Sequence, residues 1–262
     1  METMLSGGLR TKSITKQSQK NEPLITVVTV VRNGEKTLEE TILSVINQTY
    51  TNVEYIIVDG ASTDGTLDII KKYEDRIDYW ISEPDKGIYN AMNKGIDLTT
   101  GDYIALLNSD DWYELDTCEI VVNKINSIKA DIYHGMARVI DGQNNKIIFV
   151  YGYDIYAISQ NMIPHPTCFV SRNIYLKFKY DINYKSASDY DFIIKAYKSN
   201  VNFYFIEKIM VNFRMGGISQ NIKNNIETIK IRKKYGFIQS KNYYIWKTFY
   251  IIIYIYKKII RK

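Results

Sequence analysis

The chain is poor in the residues that build specialised sites. Among 262 residues there are two cysteines, Cys118 and Cys168, and two histidines. Two thiols cannot make a disulfide framework or an all-cysteine zinc site, and they favour a reducing compartment. Four prolines and 14 glycines give no collagen-like or low-complexity signal, so wholesale disorder is excluded. No apolar run reaches the roughly 20 residues that span a bilayer. The first 22 residues are polar, with Arg10, Lys12, Lys16 and Lys20, and no apolar stretch of signal-peptide length follows them. A flexible polar leader is expected there.

What is abundant matters as much. Tyrosine occurs 23 times. A core needs few hydroxyls, so some are expected at a sugar-binding cleft or a membrane interface, where an amphipathic ring fits. The net charge of +5 is unevenly spread. Residues 228–262 hold 10 Lys or Arg and no acid, which leaves 24 bases against 29 acids in the rest. An acidic body with a basic tail points to an anionic partner for the tail. Read as a helix, the tail places Ile245, Phe249, Ile252, Ile253, Tyr256, Ile259 and Ile260 on one face. Lys247, Tyr250, Tyr254, Lys258 and Arg261 fall on another. That is the pattern of a helix lying in a membrane interface with its cations toward anionic headgroups. A helix packed on the domain with solvated lysines shares the periodicity.

The body alternates strand and helix. Strands are expected at 25–31, 53–58, 78–82 and 102–107, with helices at 35–47, 67–73, 87–97 and 116–128 between and after them. Four such units predict an α/β fold with a mostly parallel, doubly wound sheet. Ligands of such sheets sit beyond the C-terminal strand ends. Those ends carry Arg32-Asn33, Asp59, Ser82-Glu83 and Asp110-Asp111. The second half differs: a hairpin of strands 130–140 and 146–151, a strand near 168–170, a helix over 188–198 and a strand pair around 201–213. A basic helical region follows residue 220. The expected organisation is a leader (1–22), a ligand-binding half (23–128), a second half of the same domain (129–220) and the tail (221–262).

Several stretches then gain meaning together: Thr29-Val-Val-Arg-Asn-Gly34, Ser44-Val-Ile-Asn-Gln-Thr49, Val58-Asp-Gly-Ala-Ser-Thr-Asp-Gly65, Asp85-Lys-Gly-Ile-Tyr-Asn-Ala-Met-Asn-Lys-Gly95 and Asn108-Ser-Asp-Asp111. In this order and spacing they resemble glycosyltransferase family 2, the inverting enzymes of GT-A fold. Ser188-Asp-Tyr-Asp191 resembles the family's acceptor-side acidic motif, with Ser188 where the family often has Glu. The resemblance covers roughly residues 24–220.

The resemblance implies a set of roles. Asp111 is expected as the main ligand of a Mn²⁺ or Mg²⁺ ion, and Asp110 as a contact on the sugar or ribose side. Adjacent carboxylates at a strand end suit a hard cation, although a helix cap would also use them. The family's metal motif is Asp-x-Asp, and Asn108 stands at its first position. Asp59 would accept from a ring N–H of a uracil base, or bond its own turn. Thr29 and Arg32 would flank base and phosphates. Lys86, beside a helix start at Gly87, would supply positive charge, or be a solvated lysine. Asp189 is the expected general base, with Asp191 as the alternative or as a first-turn structural acid. His165, between two prolines, would contact acceptor or phosphate or be structural, and His134 reads as structural within a strand. Gly216-Gly217-Ile218-Ser219 resembles the family's loop over the diphosphate, with Ser219 offering a hydroxyl.

These expectations describe a metal-dependent inverting glycosyltransferase with a nucleoside-diphosphate sugar donor, UDP-linked by preference. Its acceptor would be a glycan or lipid-linked glycan in surface-polysaccharide synthesis, at the cytoplasmic face of the membrane. Two other classes compete. A nucleotidyltransferase would want a glycine-rich phosphate loop after the first strand, and residues 29–34 are poor in glycine. A nucleic-acid binder would interleave basic and aromatic residues on a groove or sheet face. Here the tail's basic residues flank an isoleucine stripe, so no nucleic-acid partner is expected.

Overall fold

The computed structural model describes residues 4–216 and 222–239. Within it, residues of the polar leader pair with the sheet. Leu5–Gly7 form strand β1, antiparallel to residues 80–82. Arg10 in the following turn pairs with Glu54, and Lys16 Nζ lies 2.8 Å from Asp78 Oδ2. Glu54 and Asp78 are both buried. Buried carboxylates need cationic partners, and the leader supplies them. Its polarity therefore reflects ion pairing to the sheet.

The alternating half follows the expected order: β2 (Ile25–Val31), α1 (Leu38–Ile46), β3 (Val53–Asp59), α2 (Thr66–Lys72), β4 (Tyr79–Ser82), α3 (Ile88–Leu98) and β5 (Tyr103–Asn108). A two-residue strand β6 (Trp112–Tyr113) and α4 (Thr117–Ile125) come next. Strands β4, β3, β2 and β5 are neighbours and all parallel. β2 and β3 are buried along their whole length, which explains their continuous β-branched runs.

Side-chain alternation sorts β2 between two cores. Val28 and Val30 face α3 and the second half of the chain, whereas Ile25, Val27 and Val31 face α1 and α4. Each fully buried Val or Ile contributes about 1.5–3 kcal/mol. Gly95 lets α3 approach this sheet, because a Cβ there would lie 2.4 Å from Val28 Cγ1.

The second half begins with the expected hairpin, β7 (Ile132–Asp141) and β8 (Ile147–Tyr151). Then come β9 (Phe169–Ser171), α5 (Arg172–Lys177), α6 (Ser188–Lys198), β10 (Phe203–Met215) and α7 (Ile222–Lys234). β9 lies antiparallel between β5 and β7 and joins the halves into one sheet. The expected strand pair around 201–213 is instead one 13-residue strand, β10, parallel to β7. Its register breaks between Phe205 and Val211, near the polar Glu207-Lys208. Gly135 of β7 permits this irregularity, since a Cβ there would sit 3.0 Å from the Lys208 carbonyl oxygen.

No helix among the described residues is long and apolar enough to cross a membrane. Ser219 and the amphipathic tail from residue 240 lie outside the described residues.

Candidate active site

The loops after β2 and β3 are knitted together. Asn33 N donates to Ser62 Oγ at 2.7 Å, and Asn33 Oδ1 accepts from Thr63 N at 2.9 Å. Gly34 N donates to Thr66 Oγ1 at 2.8 Å, and Gly65 N to Glu35 Oε2 at 3.0 Å. Asn33 and Ala61 hold left-handed backbones, at φ 54° and 55°. These bonds fix one wall of a cleft of about 780 Å³. Asp110, the tip of the β7–β8 hairpin and Arg214 at the end of β10 form the rest.

Asp111 lies beneath that cleft with no exposed area, while Asp110 is half-buried. Asp111 Oδ1 accepts from Arg214 N at 3.0 Å, and Oδ2 from Asn108 Nδ2 at 3.3 Å. Burial, and then the adjacent Asp110 charge, push the Asp111 carboxyl well above its ordinary value. Burial raises Asp110 as well, with Arg214 pulling the other way. Asn108 Oδ1 is buried and has no hydrogen-bond partner among the described residues. Two strained carboxylates and an orphaned amide oxygen make a hard-oxygen donor set that suits a divalent cation. The described residues hold no cluster of three or more His, Cys, Asp or Glu around one point, so diphosphate oxygens and water would complete the shell. Arg214 carried no signal of its own in the sequence. It stacks on Trp112 at 4.8 Å, pairs with Glu40 and bonds Asn145 Oδ1 at 3.1 Å.

A second cluster surrounds the start of α6. Asp189 is half-buried, and its Oδ1 accepts from Tyr89 OH at 3.0 Å and Tyr190 N at 2.9 Å. Tyr89 stacks on Tyr180 at 5.7 Å, and His165 Nε2 lies 2.7 Å from Tyr180 OH. His165 is buried, which lowers its pKa against the pull of Asp189. This packing explains several of the many tyrosines. Burial, and then the charges of Asp111 and Asp189, raise the hydroxyl pKa of Tyr151 at the end of β8. Nothing in the sequence singled it out.

Asp191 faces elsewhere. Two residues along a helix turn the side chain by about 200°, and Asp191 is 1% exposed. It lies 2.7 Å from Lys234 Nζ and 3.6 Å from Lys195 Nζ. It ties α6 to α7, as the structural alternative expected.

Of the remaining expected contacts, Arg32 and Lys86 are exposed beyond β2 and before α3. Asp85 stands between them, since a Cβ on Gly60 would lie 2.3 Å from Asp85 Oδ2 and 3.5 Å from Arg32 Cβ. Thr29 is fully buried and its hydroxyl accepts from Tyr55 OH at 3.1 Å. It faces the α1 side, two positions before the strand ends. Asp59 is also closed to solvent. It accepts from Ser62 N at 3.0 Å, Ser82 Oγ at 2.6 Å and the Ser62 hydroxyl. These bonds fix the loop after β3.

The sequence matches Glycosyl transferase family 2 over residues 26–205. An uncharacterized glycosyltransferase of Methanocaldococcus jannaschii is 28% identical, over 90% of this chain and 88% of the relative. Chondroitin synthase of Escherichia coli is 32% identical over 78% of this chain, which spans only 31% of that protein. Among solved structures, S. aureus TarS 1–349 in complex with UDP-GlcNAc superposes with a TM-score of 0.67 at 16% identity, covering 87% of this chain and 71% of that one. The mannosyltransferase PcManGT from Pyrobaculum calidifontis, in complex with GDP-Man and Mn²⁺, superposes with a TM-score of 0.59 at 15% identity, covering 87% and 68%. These likenesses show the GT-A fold, and the match over most of the chain shows that the protein belongs to glycosyltransferase family 2.

Proposed function

We propose that the chain transfers a sugar, with inversion, from a nucleoside-diphosphate sugar to a glycan hydroxyl. The observation that carries this reading is buried Asp111 beside Asp110 and the unpartnered Asn108 oxygen, under a cleft that Arg214 helps to line. Asp189, held by Tyr89 at the start of α6, supplies the second carboxylate. A Mn²⁺ or Mg²⁺ ion on the Asp110–Asp111–Asn108 oxygens would neutralise the leaving diphosphate as a Lewis acid. Arg214 orients the diphosphate from the cleft wall. Asp189 removes the proton of the acceptor hydroxyl as that oxygen attacks the anomeric carbon. The bond to the diphosphate breaks, and its electron pair leaves with the phosphate oxygen. Arg32 and Lys86 flank the donor from the far side. TarS, which binds UDP-GlcNAc, supports a UDP-linked donor. PcManGT, which holds Mn²⁺, supports the cation. Calorimetric titration with UDP, GDP and dTDP tests both. One diphosphate is expected to bind with Mn²⁺ or Mg²⁺ and to lose affinity in EDTA; equal affinity in EDTA would contradict the cation's role.

The acceptor in this reading is a surface glycan on a lipid carrier, at the cytoplasmic face of the membrane. Chondroitin synthase, a relative that builds a polysaccharide, supports the glycan, and the basic isoleucine-striped tail supports the membrane. Full-length protein is expected to sediment with anionic vesicles and release from them in high salt. Retention on heparin without vesicle binding would point instead to a polyanion such as nucleic acid.

A further inference from the structure

A second cavity, of about 300 Å³, lies on the α6 face of the sheet and away from the strand-end cleft. Tyr156, Tyr197, Phe203 and Phe205 line it together with His134. The volume is at the lower end of the range for small-molecule sites. His134 was expected to be structural, but its surroundings do not satisfy it. The residue has no exposed area, and neither ring nitrogen has a hydrogen-bond partner among the described residues. A neutral imidazole carries one donor and one acceptor, and leaving both unmade in a buried place is unfavourable. Burial lowers its pKa to about 4, against the pull of Asp154, so the ring is neutral near pH 7.

Phe205 and Phe203 stand beside the ring, with centroids 5.3 Å and 6.1 Å away. Gly152 lets the chain after β8 cross tightly over β7, because a Cβ there would lie 3.0 Å from Met136 Cα. That crossing carries Asp154 and Tyr156 over His134. Tyr156 is 81% exposed and forms the outer wall of the cavity. No Lys or Arg lines the cavity, whereas Asp154, Asn200 and Asn202 do. That composition disfavours phosphates and nucleotides. Aromatic faces with neutral donors, acceptors and one carboxylate instead match a sugar ring, which presents C–H faces and a rim of hydroxyls.

We propose that this cavity binds a neutral sugar unit of the acceptor glycan, remote from the reacting hydroxyl. Tyr197, in its lining, lies eight residues along α6 from Asp189, about 12 Å at the helical rise, so the cavity is remote from the reacting hydroxyl. The acceptor part of this inference rests on the glycosyltransferase reading above.

The two histidines give the test its readout. The ring signals of the full chain would be followed by NMR during titration with free glucose, galactose and N-acetylglucosamine, with inorganic phosphate as a control. His134→Gln assigns the signals. At least one sugar is expected to shift the His134 signals saturably, and phosphate is not. Tyr156→Ala, on the exposed wall, is expected to weaken that binding about tenfold, the loss of one stacked ring. No saturable shift with any of the sugars would leave a merely hydrated histidine and overturn the proposal, as would a shift that Tyr156→Ala leaves unaltered. A UDP titration in the same samples separates the two readings. UDP binding without a sugar shift overturns the cavity alone. A sugar shift without UDP binding keeps the carbohydrate site and overturns the donor.

Discussion

Asp111 shows what the site asks of a single residue. Its folded-state carboxyl titrates well above the ordinary value because it is buried beside Asp110. The sign follows directly. A carboxyl whose pKa is raised on folding favours the folded state below its unfolded pKa, and that contribution is lost as pH rises toward the folded pKa. At neutral pH, without a cation, the Asp111 charge therefore destabilises the fold. Asp111→Asn removes the charge, and with the Asn108 amide turned over the new Nδ2 donates to Asn108 Oδ1. The substitution is expected to raise Tm by about 2–4 °C in EDTA, equivalent to about 1 kcal/mol, while abolishing transfer. Mn²⁺ is expected to raise the wild-type Tm and leave that of Asp111→Asn unchanged. A lower Tm for the variant in EDTA would show that the carboxylate is stabilised by partners other than a cation.

Helix α6 separates two acids that the sequence left as alternatives. Asp189 sits at its open start and Asp191 on the side packed against α7. Asp191→Asn breaks contacts to Lys234 and Lys195, whose side chains are 46% and 35% exposed. Solvent screening of those lysines reduces the cost of breaking a buried pair to about 1–2 kcal/mol. Thermal unfolding should show that loss with nucleotide binding retained. Asp189→Asn is expected to unfold at the wild-type temperature and to lose transfer. Equal loss of transfer in both, at equal stability, would return Asp191 to the reaction. The sequence located α6 because its apolar periodicity is local. Which acid faces the cleft depends on the distant Tyr89 and on Lys234 of α7, and no local spacing carries that. The same limit explains β10. Its polar Glu207-Lys208 looks like a turn, and only Gly135 of another strand makes continuation possible.

At the scale of the molecule, the parallel half was legible because its strands are mainly apolar runs and the helices between them carry their own apolar periodicity. The convergence of strand ends on one edge followed from topology alone. Other parts were not legible. Leader residues that looked loose neutralise buried Glu54 and Asp78. Thr29 lies in a core because alternation, not proximity to the strand end, sets its direction. Arg214 and Tyr151 reach the site from strands paired far along the chain. The proposed reaction requires both the cation-fitting oxygen set and the tyrosine-held carboxylate. Release of free nucleoside diphosphate from UDP-, GDP- and dTDP-sugars tests this most directly, for wild type and Asp111→Ala, with Mn²⁺, Mg²⁺ or EDTA. Slow release from one donor, abolished by EDTA and by the substitution, is the expected result. Release that persists undiminished in EDTA and in Asp111→Ala would contradict it.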